Sequence, residues 1–73
     1  MSPLRLIYGA AFDAETTQLL GSAYEKAILG INEVEHEFIA KRIIEAARRG
    51  ERDIDRLVAY ARAGLDGTTE AAG

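Results

Sequence analysis

The sequence predicts an all-α fold: a small three-helix domain of two long antiparallel helices and a short C-terminal helix, with an extended N-terminal arm. Apolar residues recur at helical spacing in three segments. An aspartate or asparagine stands before each segment as a helix N-cap, and a glycine follows each one as a stop signal. We therefore expect one helical domain over residues 12–65, an arm over residues 1–11 and a flexible tail over residues 66–73.

The composition limits how so short a chain is stabilised and what it binds. A core built from 73 residues is thin, and a sequence without cysteine has neither disulfides nor thiolate metal sites to support it. We expect regular helix packing or self-association to supply the stability that the thin core lacks. The net charge of −3 argues against a general nucleic-acid binder, whose surface is usually basic. We expect a cytoplasmic location, because no apolar run approaches the roughly 20 residues of a membrane span and the N-terminus resembles no secretory signal.

The N-terminal arm has the pattern of an extended segment. Leu4, Leu6 and Tyr8 alternate with other residues, which places them on one face of a short strand. Because the chain offers no second strand to pair with, the arm either lies over the helices or pairs with its copy in another chain.

The first predicted helix starts at Asp13, whose side chain can accept hydrogen bonds from the amides of the first turn. Gly30 is placed to end the helix in a left-handed conformation. The predicted buried stripe consists of Thr16, Leu20, Ala23, Tyr24, Ala27 and Ile28.

The second predicted helix starts at Asn32, which forms a capping-box pattern with Glu35, and it ends near Arg49, before Gly50. Its predicted buried face consists of His36, Ile39, Ala40, Ile43, Ala46 and Ala47.

Val34 and Phe38 lie one turn apart on the otherwise charged side of this second helix. Two explanations are open: the arm or the first helix covers them, or they form a patch for another chain. The candidate interface residues are therefore Leu4, Leu6, Tyr8, Val34 and Phe38.

The third predicted helix is capped by Asp53 and stops at Gly64. Tyr60 lies off the core stripe, and its hydroxyl is expected in water. The stripe itself consists of Ile54, Leu57, Val58, Ala61 and Leu65.

Glu33 and His36 form the one arrangement that suggests a metal site. Glu-x-x-His on one helical turn is the spacing found in di-iron carboxylate bundles. With a single histidine in the chain, only a symmetric dimer could assemble such a site, with Glu25 or Glu15 as a further ligand. A run of capping acids beside a histidine packed on the first helix explains the same residues, so we expect no metal and no cofactor.

Catalysis has less support than metal binding. The sequence has no cysteine nucleophile, one imidazole, no nucleophile-elbow context around Ser2 or Ser22 and no glycine-rich phosphate loop. We expect a protein that is not an enzyme.

Nucleic-acid binding through a helix-turn-helix is the main alternative function. Two predicted helices join at Gly50, and four arginines cluster near this corner: Arg48, Arg49, Arg52 and Arg56. The exposed start of the third helix, where base contacts would lie, holds Asp53 and Asp55, which would face phosphates. Ion pairs with neighbouring acids explain the arginines as well, so nucleic acid is an unlikely partner.

Two segments carry a resemblance: residues 12–16, Phe-Asp-Ala-Glu-Thr, and residues 42–53, Arg-Ile-Ile-Glu-Ala-Ala-Arg-Arg-Gly-Glu-Arg-Asp, followed by Leu57. In this pattern the chain resembles a group of small helical proteins of unknown function that are common in alpha-proteobacteria. The match covers residues 12–65, and its most specific part is the turn at residues 50–53. Members of the group often have proline after the aspartate, where this chain has Ile54. The resemblance implies a small helical fold and no active residue.

The function we expect is a non-enzymatic helical protein-interaction module that self-associates, as a homodimer. The thin core and the Val34–Phe38 pair motivate this prediction. A further protein partner stays open, and no membrane is expected.

Overall fold

The computed structural model describes the backbone of residues 3–72 and the side chains of residues 3–65. This part of the chain contains four α-helices and one turn of 3-10 helix, and no strand. The α-helices are α1 (Leu4–Gly9), α2 (Ala14–Ala27), α3 (His36–Arg48) and α4 (Ile54–Ala72), with the 3-10 turn at Glu33–Glu35 before α3. The all-α prediction is confirmed.

The N-terminal arm is a short helix, so the prediction of an extended segment is wrong. Helix α1 packs against α2 and α3 and buries Ile7 completely. As a strand, this segment would place Leu4, Leu6 and Tyr8 on one face and Ile7 on the opposite one. A single strand would leave its backbone groups unpaired, whereas a helical turn pairs them internally, as Leu6 N does with Pro3 O at 2.9 Å. Tertiary packing of Ile7 thus overrides the β-propensity of the segment.

Helix α2 begins as the sequence predicts. Asp13 Oδ1 accepts a hydrogen bond from Thr16 N at 2.8 Å. Gly30 has φ of 75°, in the left-handed region, where the chain turns toward α3. Leu20, Ala23, Tyr24 and Ala27 from the predicted stripe are buried, whereas Thr16 and Ile28 are half-buried.

The start of α3 differs from the predicted capping box. Asn32 makes no side-chain cap, because the chain forms a 3-10 turn in which Glu35 N donates to the backbone oxygen of Asn32 at 2.9 Å. At the other end of α3, Gly50 N donates to Ala47 O and Glu51 N donates to Ala46 O, at 3.0 and 3.1 Å. With φ of 102° at Gly50, this is a Schellman C-cap, and the predicted stop is confirmed.

Helix α4 begins at the predicted cap and passes the predicted stop. Asp53 Oδ1 accepts from Arg56 N at 3.1 Å. The helix continues through Gly64 to Ala72, so the stop at Gly64 is wrong. A β-carbon at position 64 would lie 2.7 Å from Arg42 Nε and 2.9 Å from Phe38 Cε2, so the glycine serves close packing on α3. The predicted tail begins inside α4. Its flexibility stays a prediction, since the side chains of residues 66–72 and all of residue 73 lie outside the described residues.

The core lies where α2, α3 and α4 meet, with α1 covering one side. Six of the thirteen buried apolar residues in the described part of the chain are alanines. Alanine lets helices approach closely but buries little area, so the core is thin. No helix in the described part is both long and apolar enough to span a bilayer. The larger buried side chains are Ile7, Leu20, Tyr24, Ile39, Ile43, Ile44 and Leu57.

Candidate protein-interaction surface

Four of the five predicted interface residues are exposed. Val34 is 85% exposed, Tyr8 60%, Phe38 39% and Leu6 38%. Leu4 is half-buried and packs against the core. These residues do not form one patch, and their places in the fold divide them into three groups.

Leu4 and Val34 line an acidic groove at the start of α1 and the start of α3. Its cavity volume is about 790 Å³. Val34 lies in the 3-10 turn, which has no buried residue. The acidic groove also contains Ile28 and three exposed carboxylates, those of Glu25, Glu33 and Glu37.

Leu6 lines a basic groove at the end of α1 and along the last turns of α3. Its cavity volume is about 500 Å³. Three cationic side chains line this groove, those of Lys41, Arg48 and Arg49. Its other lining residues include Ala10, Ile44 and one carboxylate, that of Glu45.

Both grooves are lined by residues of α1 and of the α3 segment, and we call the line along which α1 packs on α3 the seam. The first turns of both helices meet in the acidic groove, and their last turns meet in the basic groove. Helix α1 therefore runs along α3 in the same direction. The seam is negative at one end and positive at the other, and each end holds one exposed aliphatic side chain, Val34 or Leu6.

Tyr8 and Phe38 lie outside both grooves. The Tyr8 hydroxyl lies 3.8 Å from the position of a β-carbon at Gly21, which places Tyr8 over α2. Phe38 points toward α4, beside Gly64. Helix α4 therefore covers part of Phe38, which stays 39% exposed.

Arg42 holds α3 and α4 together beside Phe38. Its guanidinium lies 4.0 Å from the centroid of the Tyr60 ring, and Nη2 donates to the backbone oxygen of Tyr60 at 2.8 Å. The Nε atom is buried and has no hydrogen-bond partner in the described part of the chain. Stacking and the bond to Tyr60 O thus fix the arginine in this position.

The Tyr60 hydroxyl, which the sequence places in water, forms a hydrogen bond to a carboxylate of α3 on the exposed side of the helix pair. It donates to Glu45 Oε1 at 2.6 Å. This hydrogen bond lowers the pKa of Glu45 below its ordinary value and raises the pKa of Tyr60 above its own. The carboxylate of Glu45 is therefore engaged on the α4 side, although it also lines the basic groove.

Two arginines of the α3–α4 corner, Arg49 and Arg52, contact other residues of the fold. Arg52 Nη1 donates to Ala47 O at 2.7 Å and to Glu51 O at 2.8 Å, which ties the turn to the end of α3. Arg49 lies 3.9 Å from Glu45. Two of the four arginines that the helix-turn-helix alternative would use for DNA contact, Arg49 and Arg52, thus have partners within the chain.

Glu33 and His36 are not assembled as a metal site. His36 Nε2 lies 3.0 Å from the backbone oxygen of Ile31, which can only accept, so Nε2 carries the proton. The ring also meets Tyr24 edge-on, at 6.3 Å between centroids. Among the described residues, no three metal-binding side chains come together.

Leu29 is an exposed apolar residue that the sequence did not single out. It is 66% exposed, in the turn between α2 and the 3-10 helix, and it lines neither groove. The one sequence signal of its exposure is its position directly before Gly30, at the end of the helical pattern.

No protein-family model, curated protein or solved structure matches this chain significantly. The resemblance of residues 12–65 to small helical proteins of alpha-proteobacteria therefore stays a proposal.

Proposed function

We propose that this chain is a non-enzymatic helical interaction module that self-associates through the seam. The observation that carries the proposal is Val34, an aliphatic side chain 85% exposed beside Leu4 and Ile28 in the acidic groove. Exposed apolar groups beside a groove mark contact surfaces more often than isolated exposed residues do.

The thin core supports the same proposal. A chain of 73 residues with an alanine-rich core has little apolar burial to offset its conformational entropy. Burial of the seam against a second copy adds apolar area without a longer chain. This is a common way for small domains without disulfides to gain stability.

Sedimentation equilibrium at micromolar concentration tests self-association. We expect a mass near twice the 7.9 kDa of one chain. Val34→Ser removes an exposed apolar group from the seam and should shift the protein toward monomer. Leu29→Ser is the matched control, since Leu29 is also highly exposed but lines neither groove.

Two results would contradict the proposal. One is a clean monomer of the wild-type protein throughout the concentration range. The other is an equal loss of mass in both variants, since that would show that association does not depend on the seam.

A further inference from the structure

We propose that the second copy packs antiparallel across the seam, so that the acidic groove of each chain receives the basic groove of the other. This inference rests on the proposed self-association and adds its orientation, its charge pairing and its symmetry.

The acidic half of the seam has three exposed carboxylates, of Glu25, Glu33 and Glu37. Only Glu37 has a cationic partner in the described part of the chain, namely Lys41 at 3.1 Å. Two of the three carboxylates are therefore available to a partner. His36 lines the same groove, and its Nε2–H donates a hydrogen bond to the backbone oxygen of Ile31.

The basic half has the cations of Lys41, Arg48 and Arg49, and the carboxylate of Glu45. Lys41 lies next to Glu37, and Arg49 lies 3.9 Å from Glu45. Arg48 has no ion pair among the described residues and lies in the last turn of α3. Glu33, in the 3-10 turn before α3, and Arg48, in the last turn of α3, thus both have no ion pair in the described part of the chain.

The arrangement of charge determines the orientation of the second copy. A parallel copy would face carboxylates with carboxylates and cations with cations, which is unfavourable when water is excluded. An antiparallel copy forms the acidic-to-basic contact twice, related by a two-fold axis. Such an isologous contact closes as a dimer and leaves no end for further growth.

The apolar groups of the seam are compatible with this orientation. Val34 lies in the acidic half and Leu6 in the basic half. In the antiparallel dimer, Val34 of one chain faces the end of the seam that holds Leu6 of the other. Each pairing of opposite charges then has an exposed aliphatic group beside it, which helps to exclude water.

Charge reversal tests the pairing by dimer dissociation constants from sedimentation. Glu33→Lys and Arg48→Glu should each weaken the dimer at least about tenfold, because each substitution places like charges opposite one another in two symmetry-related contacts. An equimolar mixture of the two variants should form a heterodimer close to wild-type strength. In this heterodimer, one of the two acidic-to-basic contacts has both of its charges reversed, so opposite charges still face each other. The other contact is unchanged.

Matched controls carry the same charge changes outside the seam. Glu15→Lys alters a carboxylate in the first turn of α2, and Arg62→Glu alters an exposed arginine of α4. Both should leave the dissociation constant within about threefold of wild type, because exposed charges distant from the interface are screened. The double variant Glu33→Lys/Arg48→Glu should dimerise by itself, which excludes a folding defect as the cause of weakening in the single variants.

The outcomes separate this inference from the proposed function. A wild-type dimer that both seam reversals leave intact would overturn the antiparallel pairing alone. Weakening by both reversals without recovery in the mixture would overturn it as well. A monomeric wild-type protein would overturn self-association itself.

Discussion

Arg42 Nε lies 2.7 Å from the position that a β-carbon would take at Gly64. The guanidinium can occupy this place between α3 and α4 because residue 64 has no side chain. Stacking on Tyr60 at 4.0 Å and the bond to Tyr60 O at 2.8 Å hold it there. Gly64 therefore acts as a packing residue inside α4, where the sequence pattern indicated a helix end.

Gly64→Ala should destabilise the protein by about 1 kcal/mol, because the overpacking cost exceeds the gain in helix propensity. Gly21→Ala is the matched control: its nearest neighbour would be Tyr8 Oη at 3.8 Å, an ordinary contact. It should stabilise the protein by about 1 kcal/mol. Urea unfolding of the three proteins measures both changes.

Measuring Gly64→Ala and Gly21→Ala in an Arg42→Ala background isolates the contact between residue 64 and Arg42. The cost of Gly64→Ala should shrink there, because one of its two close neighbours is gone. Equal stabilisation by alanine at positions 21 and 64 in the wild-type background would contradict the close approach.

Tyr60→Phe should lower the melting temperature at neutral pH, because it removes the bond from Tyr60 Oη to Glu45 Oε1 at 2.6 Å. The pKa of Glu45 is lowered, so this stabilisation is present above the ordinary value of 4.5 and is lost as pH falls through the lower folded value. The pKa of Tyr60 is raised, so the stabilisation is also lost as pH rises from 10.0 through the higher folded value. Thermal melts from pH 3 to pH 8 should show the difference between the two proteins shrinking below about pH 4. A difference that stays constant with pH would argue against this hydrogen bond.

The sequence predicts much of the helical core because the buried stripes follow one period. Leu20, Ala23, Ile39, Ile43 and Leu57 lie where that period places them. The three helix boundaries that depend on Asp13, Gly50 and Asp53 are also confirmed, since the hydrogen bonds that form them join residues close in sequence.

The errors in the prediction arise where tertiary contacts decide. Residues 4–9 have a strand-like composition, but the contact of Ile7 with α2 and α3 makes them helical. In a helical pattern, a glycine predicts a helix end. The sequence alone does not reveal that Arg42 of α3 lies so close to Gly64 that a larger residue would not fit there. The division of the candidate interface into acidic and basic grooves depends on the direction of α1 relative to α3, which has no signal in the sequence.

Arg52→Ala should cost roughly 1 kcal/mol of stability, because it removes the bonds from Nη1 to Ala47 O and Glu51 O. Arg56→Ala is the matched control, because Arg56 is also exposed and its side chain has no hydrogen bond in the described part of the chain. It should leave stability nearly unchanged. Chemical unfolding compares them, and equal losses would mean that the corner depends on charge alone.

Asp13→Ala should lower the melting temperature, because Asp13 caps the start of α2. The hydrogen bonds that Asp13 accepts from the side chain and backbone of Thr16 hold its pKa below the ordinary value of 3.8. The cap therefore contributes above that value, and its contribution is lost as pH falls through the lower folded pKa. Asp13→Asn keeps a hydrogen-bond acceptor and should retain most of the stability at pH 7. Identical melting of the alanine and asparagine variants would show that charge, and not the cap bond, is what matters.

Self-association through the seam is tested most directly by disulfide cross-linking, which a chain without cysteine makes clean. Val34→Cys and Leu6→Cys place single thiols in the acidic and basic halves of the seam and leave its charges unchanged. On mild oxidation, the mixture of the two variants should form a cross-linked heterodimer, and neither variant alone should cross-link efficiently. Efficient cross-linking of Val34→Cys with itself, or no heterodimer in the mixture, would contradict the antiparallel seam.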